Sequence, residues 1–117
     1  MAKILAVLDD LFFMVKINEA AKRAGTAVEF VKSEVDVLEK AKEQPSLVIV
    51  DLNFAGVDPL ALVAKLKTGE PKPGSIVGYL SHVQGELKQR AQEAGYDMVL
   101  ARSAFSQNLP QILKRHA

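Results

Sequence analysis

Short, mostly apolar runs recur along the chain, and between them lie stretches in which apolar residues return every three or four positions. Leu47-Val48-Ile49-Val50 runs straight into Asp51 with no polar interruption. Such a run suits a strand covered on both faces, as in the middle of a parallel sheet. Ile4-Leu5-Ala6-Val7-Leu8 has the same character and also ends in acid, at Asp9 and Asp10. The full pattern predicts strands over Lys3 to Leu8, Ala27 to Val31, Leu47 to Asp51, Ser75 to Leu80 and Asp97 to Ala101.

Helical spacing fills the intervals. Leu11, Met14, Val15, Ile17 and Ala21 predict a helix from Leu11 to Ala24, with Gly25 as its C-terminal cap. Ser33 is a suitable N-cap with Asp36 three residues on, and Val37, Leu38 and Ala41 form an apolar stripe up to Pro45. Pro59 lies just inside a third helix whose buried face is Leu60, Leu62, Val63 and Leu66, and Glu70 to Gly74 reads as a loop. Val83, Leu87, Ala91 and Ala94 mark a fourth helix ending at Gly95. The last helix is expected to begin near Ser106, because that start leaves Pro110 in the first turn, where no intrahelical donor is lost.

Strict alternation of five strands with five helices requires right-handed crossovers and a parallel sheet with helices on both faces. The expected fold is therefore α/β, a (βα)5 doubly wound five-stranded parallel sheet of order 2-1-3-4-5, the flavodoxin-like arrangement. Both acid-terminated strands are central in that order. Asp9, Asp10 and Asp51 then meet at the carboxyl edge of the sheet, where open α/β sheets place their ligands.

Composition narrows the function classes. The 117 residues suit one domain spanning 1–117, and 49% hydrophobic content is ample for one core. A formal charge of +1 gives no electrostatic footprint for nucleic acid or an anionic membrane. The absence of cysteine excludes disulfides and thiolate metal sites. No apolar run approaches the ~20 residues of a membrane span, and the start lacks a signal-peptide pattern, so a cytoplasmic location is expected.

Asp9-Asp10 after the first strand, and Asp51-Leu52-Asn53-Phe54-Ala55-Gly56-Val57-Asp58-Pro59-Leu60 after the third, resemble the receiver domains of two-component response regulators. The resemblance covers the whole chain. It implies that Asp51 is the phosphoacceptor and that Mg²⁺ is held by Asp9, Asp10, Asp51 and the backbone carbonyl of Asn53. The residue types suit that chemistry: Mg²⁺ is a hard cation that takes one or two carboxylates, waters and phosphate oxygens, and it offsets charge in phosphoryl transfer. Strand-end aspartates also cap loops and helix starts without further duty.

The chain departs from the receiver pattern in three places. Receivers carry a Thr or Ser hydroxyl at the end of the fourth strand; an ungapped count places Leu80 there, and a shift of one residue places Ser81, with His82 beside it. Where the family has Lys-Pro after the fifth strand, this chain has Arg102-Ser103. Arginine binds phosphate through a planar fork and does not replace a lysine point charge conservatively. A relaxed loop from Arg102 to Phe105 is expected there, with Arg102 free to point away from Asp51. The loop after Asp51 also has Phe54-Ala55 where receivers have Met-Pro.

These features imply a stand-alone, atypical receiver domain in two-component signal transduction, not an enzyme, acting through contacts with a histidine kinase or a downstream signalling protein. Phosphorylation at Asp51 and a phosphorylation-independent interaction module are the two forms of that reading. No effector domain is expected, since the chain ends at Ala117 soon after the last helix. A flavodoxin-like FMN- or nucleotide-binding protein is the rival class. Against it, Asp9-Asp10-Leu11-Phe12 is acidic and offers no Gly, Ser or Thr to cradle phosphate.

Overall fold

The computed structural model describes residues 3–70, 72–81 and 84–116. Five strands, β1 (Lys3–Val7), β2 (Ala27–Val31), β3 (Leu47–Asp51), β4 (Ile76–Leu80) and β5 (Met98–Ala101), alternate with five helices. These are α1 (Leu11–Arg23), α2 (Glu34–Ala41), α3 (Pro59–Thr68), α4 (Gly85–Ala94) and α5 (Arg102–His116). The sheet order is β2-β1-β3-β4-β5 with every neighbouring pair parallel, as the alternation of elements requires. Among the described residues, no helix is long and apolar enough to cross a membrane.

The two-residue period of each strand sends its side chains into two separate cores. Leu5, Val7, Val48 and Val50 face α2, α3 and α4, where Val37, Ala41, Leu62, Val63, Leu66 and Ala91 close one layer. Ile4, Ala6, Ile49, Val77 and Tyr79 face α1 and α5, where Phe13, Ile17, Phe105, Leu109 and Leu113 close the other. All five residues of β3 are buried, consistent with its uninterrupted apolar sequence. The helix starts expected at Ser33 and Pro59 are present: Ser33 Oγ accepts from the Asp36 N–H, and Asp58 caps α3 immediately before Pro59. Gly25, at φ 76°, supplies the left-handed turn after α1.

Two sequence expectations require correction. The buried stripe of α1 is Phe13, Ile17, Ala20 and Ala21, whereas Leu11 and Val15 face outward at 73% and 54% exposure. The Phe13 ring sets this rotation, for it stacks against Tyr79 at 5.1 Å and Phe105 at 6.2 Å between centroids. The second correction concerns α5, which begins at Arg102, so there is no relaxed loop from Arg102 to Phe105 and Pro110 lies in the helix interior. An interior proline removes a donor and costs ~3 kcal/mol or more. Two features offset that cost. Phe105, in the first turn, is completely buried against Tyr79, with ring centroids 4.5 Å apart. Pro110 itself is exposed, so water can reach the carbonyl that its missing N–H leaves free. The part of the fourth-helix stripe assigned to Val83 lies outside the described residues, as does His82.

Candidate functional site

The site lies at the carboxyl edge where β1 and β3 run side by side, paired from Ile4 with Leu47 to Val7 with Val50. Asp51 ends β3 and is the only buried charged side chain among the described residues, at 5% exposure. Because Ile49 faces α1 and α5, the strand period turns Asp51 to the same side, beside Tyr79, with which it pairs in register across β3 and β4. Its Oδ1 accepts the Asn53 N–H at 2.9 Å. Burial raises the Asp51 pKa above the ordinary carboxylate value; the Asn53 N–H and the Arg102 guanidinium partly offset this, and Asp10 and Asp9 push it further up.

The acidic pair is divided in its duties. Asp10 is the N-cap of α1, its Oδ1 accepting from the Phe12 N–H at 3.0 Å and more weakly from the Phe13 N–H at 3.4 Å. Asp9 is exposed. Both lie within electrostatic reach of Asp51, so the three acids share one edge as expected. They do not form a ready cage: among the described residues, no three carboxylate or imidazole side chains are grouped to hold a metal ion. The donors are nevertheless all oxygens and mutually repulsive, which suits a hard cation bound through few protein ligands and several waters.

Leu80 enters the core beneath α4, whereas Ser81 follows it onto the cleft side, with Phe13 and Arg102. Asn53 holds this loop in place through its side chain, a role the sequence did not disclose. Its Oδ1 accepts the Ser81 N–H at 3.0 Å and its Nδ2 donates to Gln84 Oε1 at 2.6 Å, tying the β3–α3 loop to the β4–α4 loop. Arg102, at the first position of α5, places its guanidinium carbon 5.4 Å from the Phe13 ring centroid, a cation–π contact.

Tyr79 is the group that sequence reasoning missed most completely. It is fully buried against Phe13 and Phe105, and its hydroxyl has no hydrogen-bond partner among the described residues, whereas the Tyr96 hydroxyl donates to the Pro59 carbonyl at 2.9 Å. Burial, and then the charge of Asp51, raise the Tyr79 pKa far above the usual phenol value, so the group stays neutral. Tyr79→Phe removes an unsatisfied buried hydroxyl while keeping the stack. It is expected to stabilise the fold by roughly 1–2 kcal/mol, read as a higher urea midpoint at unchanged slope. A destabilised variant would show that the hydroxyl has a partner in solution.

No family model matches this chain, and no curated protein matches it. Solved structures do match in fold. The chemotaxis response regulator CheY4 of Vibrio cholerae superposes with a TM-score of 0.82 at 24% identity, covering 100% of this chain and 99% of that one. A CheY-like response regulator receiver domain protein from Methanospirillum hungatei gives 0.81 at 18% identity, over 98% and 92% of the two chains. The receiver domain of a sensor histidine kinase from Pseudomonas aeruginosa, which has a magnesium ion coordinated in its active site cleft, gives 0.80 at 18% identity, over 98% and 96%. The chain therefore has the flavodoxin-like fold of response-regulator receiver domains, with its buried aspartate at the end of the central strand.

Proposed function

We propose that this chain is a receiver-type signalling module whose output is a contact with another protein, and that it transmits without phosphoryl transfer at Asp51. The observation that supports this most is the engagement of the charged groups at the edge. Asp10 caps α1, Asp51 takes its neighbour's N–H, and Arg102 rests on Phe13 with no carboxylate at ion-pair distance among the described residues. Transfer needs the acceptor, a metal and a cation aligned on one phosphoryl group, and electrostatic positioning provides nearly all of its rate enhancement. A cytoplasmic location and a histidine kinase or downstream signalling protein as partner fit this reading.

The oxygen donors suit weak binding of Mg²⁺. Asp9 and Asp51 with the Asn53 carbonyl would hold it, and when bound it would offset the repulsion among the carboxylates and the charge of an incoming phosphoryl group. The competing form, with Asp51 as phosphoacceptor, is favoured by one observation: Asp51, Ser81 and Arg102 all lie on the α1/α5 side of the sheet.

Beryllofluoride with Mg²⁺ assembles an acyl-phosphate analogue on a competent acceptor carboxylate, and amide NMR follows it. The expected response is to Mg²⁺ alone, at Asp9, Asp10 and Asn53, with no further change when beryllofluoride is added. A second shift running through Ser81, α4 and the first turn of α5 would replace this reading with the phosphoacceptor one.

A further inference from the structure

An open groove of about 560 Å³ lies between α1 and the start of α5, lined by Phe13, Lys16, Ser81, Arg102, Ser103 and Ser106. Two of the lining residues are cations, three are hydroxyls, and none is acidic. Lys16 Nζ donates to Ser106 Oγ at 2.8 Å, so the ammonium is held over the groove. It lies 5.0 Å from the Phe12 ring centroid and 5.8 Å from that of Phe13, the same ring that Arg102 approaches.

Arg23, Lys40, Lys42, Lys65 and Lys67 each pair with a carboxylate, but among the described residues neither Lys16 nor Arg102 has one at ion-pair distance. Two positive charges thus approach one aromatic ring, whose quadrupole returns only about 0.5–2 kcal/mol for each. An anion between them would satisfy both, through a planar fork from Arg102 and a point charge from Lys16, with serine hydroxyls completing its shell. The groove falls within the ~300–1,000 Å³ of small-molecule sites, and Phe12, 65% exposed, stands beside Lys16 as an apolar wall for an organic remainder.

We propose that this groove binds a phosphate monoester dianion non-covalently, held by Lys16 and Arg102 with the hydroxyls of Ser103 and Ser106. Asp51 does not line the groove, although Arg102 lies within its electrostatic reach, so the proposed binding needs no covalent step at Asp51. Its test is an amide NMR titration of the whole chain with EDTA present, using inorganic phosphate, ribose 5-phosphate and AMP as separate probes.

Saturable shifts at Lys16, Ser103 and Ser106 are expected. Lys16→Ala, and Lys16→Gln, which keeps a donor for Ser106, should each weaken binding about tenfold, the scale of one charge-assisted hydrogen bond. Asp51→Asn should not weaken it. Equal affinity for all three probes identifies free phosphate as the ligand chemistry, and tighter binding of either ester identifies a phosphorylated metabolite; both support the site. The proposal is overturned by the absence of saturable shifts, by affinity indifferent to both Lys16 variants, or by loss of binding in Asp51→Asn.

Discussion

Phe105→Ala is expected to cost about 3–5 kcal/mol, the scale for removing a large aromatic from a closed core. The ring is 0% exposed, and it lies nearly parallel to Tyr79 and to Phe13, at an interplanar angle of 14° to each. It joins the first turn of α5 to the middle of the sheet, and that turn carries Arg102. Pro110 weakens the helix two turns later by removing one of its donors, so the buried ring must secure the start. Loss of the ring should lower the urea midpoint and let amides from Arg102 to Ser106 exchange with solvent well before the rest of α5. A cost below ~1 kcal/mol, the ordinary level for a surface-like substitution, would show that the stack does not hold α5 in place.

Asp51→Asn should act in the opposite direction, stabilising the protein by roughly 1–3 kcal/mol at neutral pH, the scale for a polar group buried with incomplete compensation. The carboxylate is 5% exposed, and Asp10 and Asp9 oppose its charge. Asparagine keeps an oxygen for the Asn53 N–H and removes the charge. The sign with pH follows from the direction of the shift. The folded-state pKa lies above the ordinary 3.8, so the native state holds the proton more tightly than the unfolded chain, and stability falls as pH rises from that value through the folded pKa. The variant's advantage should therefore be present at neutral pH and disappear below 3.8, where both states of the wild-type aspartate are protonated. A variant less stable than wild type at neutral pH would mean that the charge is compensated by more than Arg102 and the Asn53 N–H.

The sheet was legible because its central strands are buried on both faces and so carry unbroken apolar runs: β3 and β1 announce themselves, and the acids that end them fix the edge at which the site lies. Helix starts were legible where the local signal is strong, at the Ser33 cap and at Pro59 just inside α3, whereas the cap that Asp58 supplies to α3 emerged only in the structure. What escaped was long-range. The rotation of α1 depends on Phe13 meeting Tyr79 and Phe105, residues far apart in sequence, and periodicity alone placed Leu11 and Val15 inward instead. The start of α5 was misplaced because a local rule about proline was outweighed by burial of one aromatic ring. The side-chain clasp of Asn53 on Ser81 and Gln84 joins two loops that no local pattern brings together. At the site itself, the positions of the acids were readable, whereas the engagement of Asp10 as a cap and of Arg102 on an aromatic face depends on the folded geometry.

The claim that this module transmits without phosphoryl transfer is tested most directly by intact mass after incubation with acetyl phosphate and Mg²⁺, with Asp51→Asn as control. At most a trace of the phosphoryl adduct is expected in the wild type. Stoichiometric addition of one phosphoryl group within minutes, abolished in Asp51→Asn, would contradict the account and make Asp51 a working phosphoacceptor.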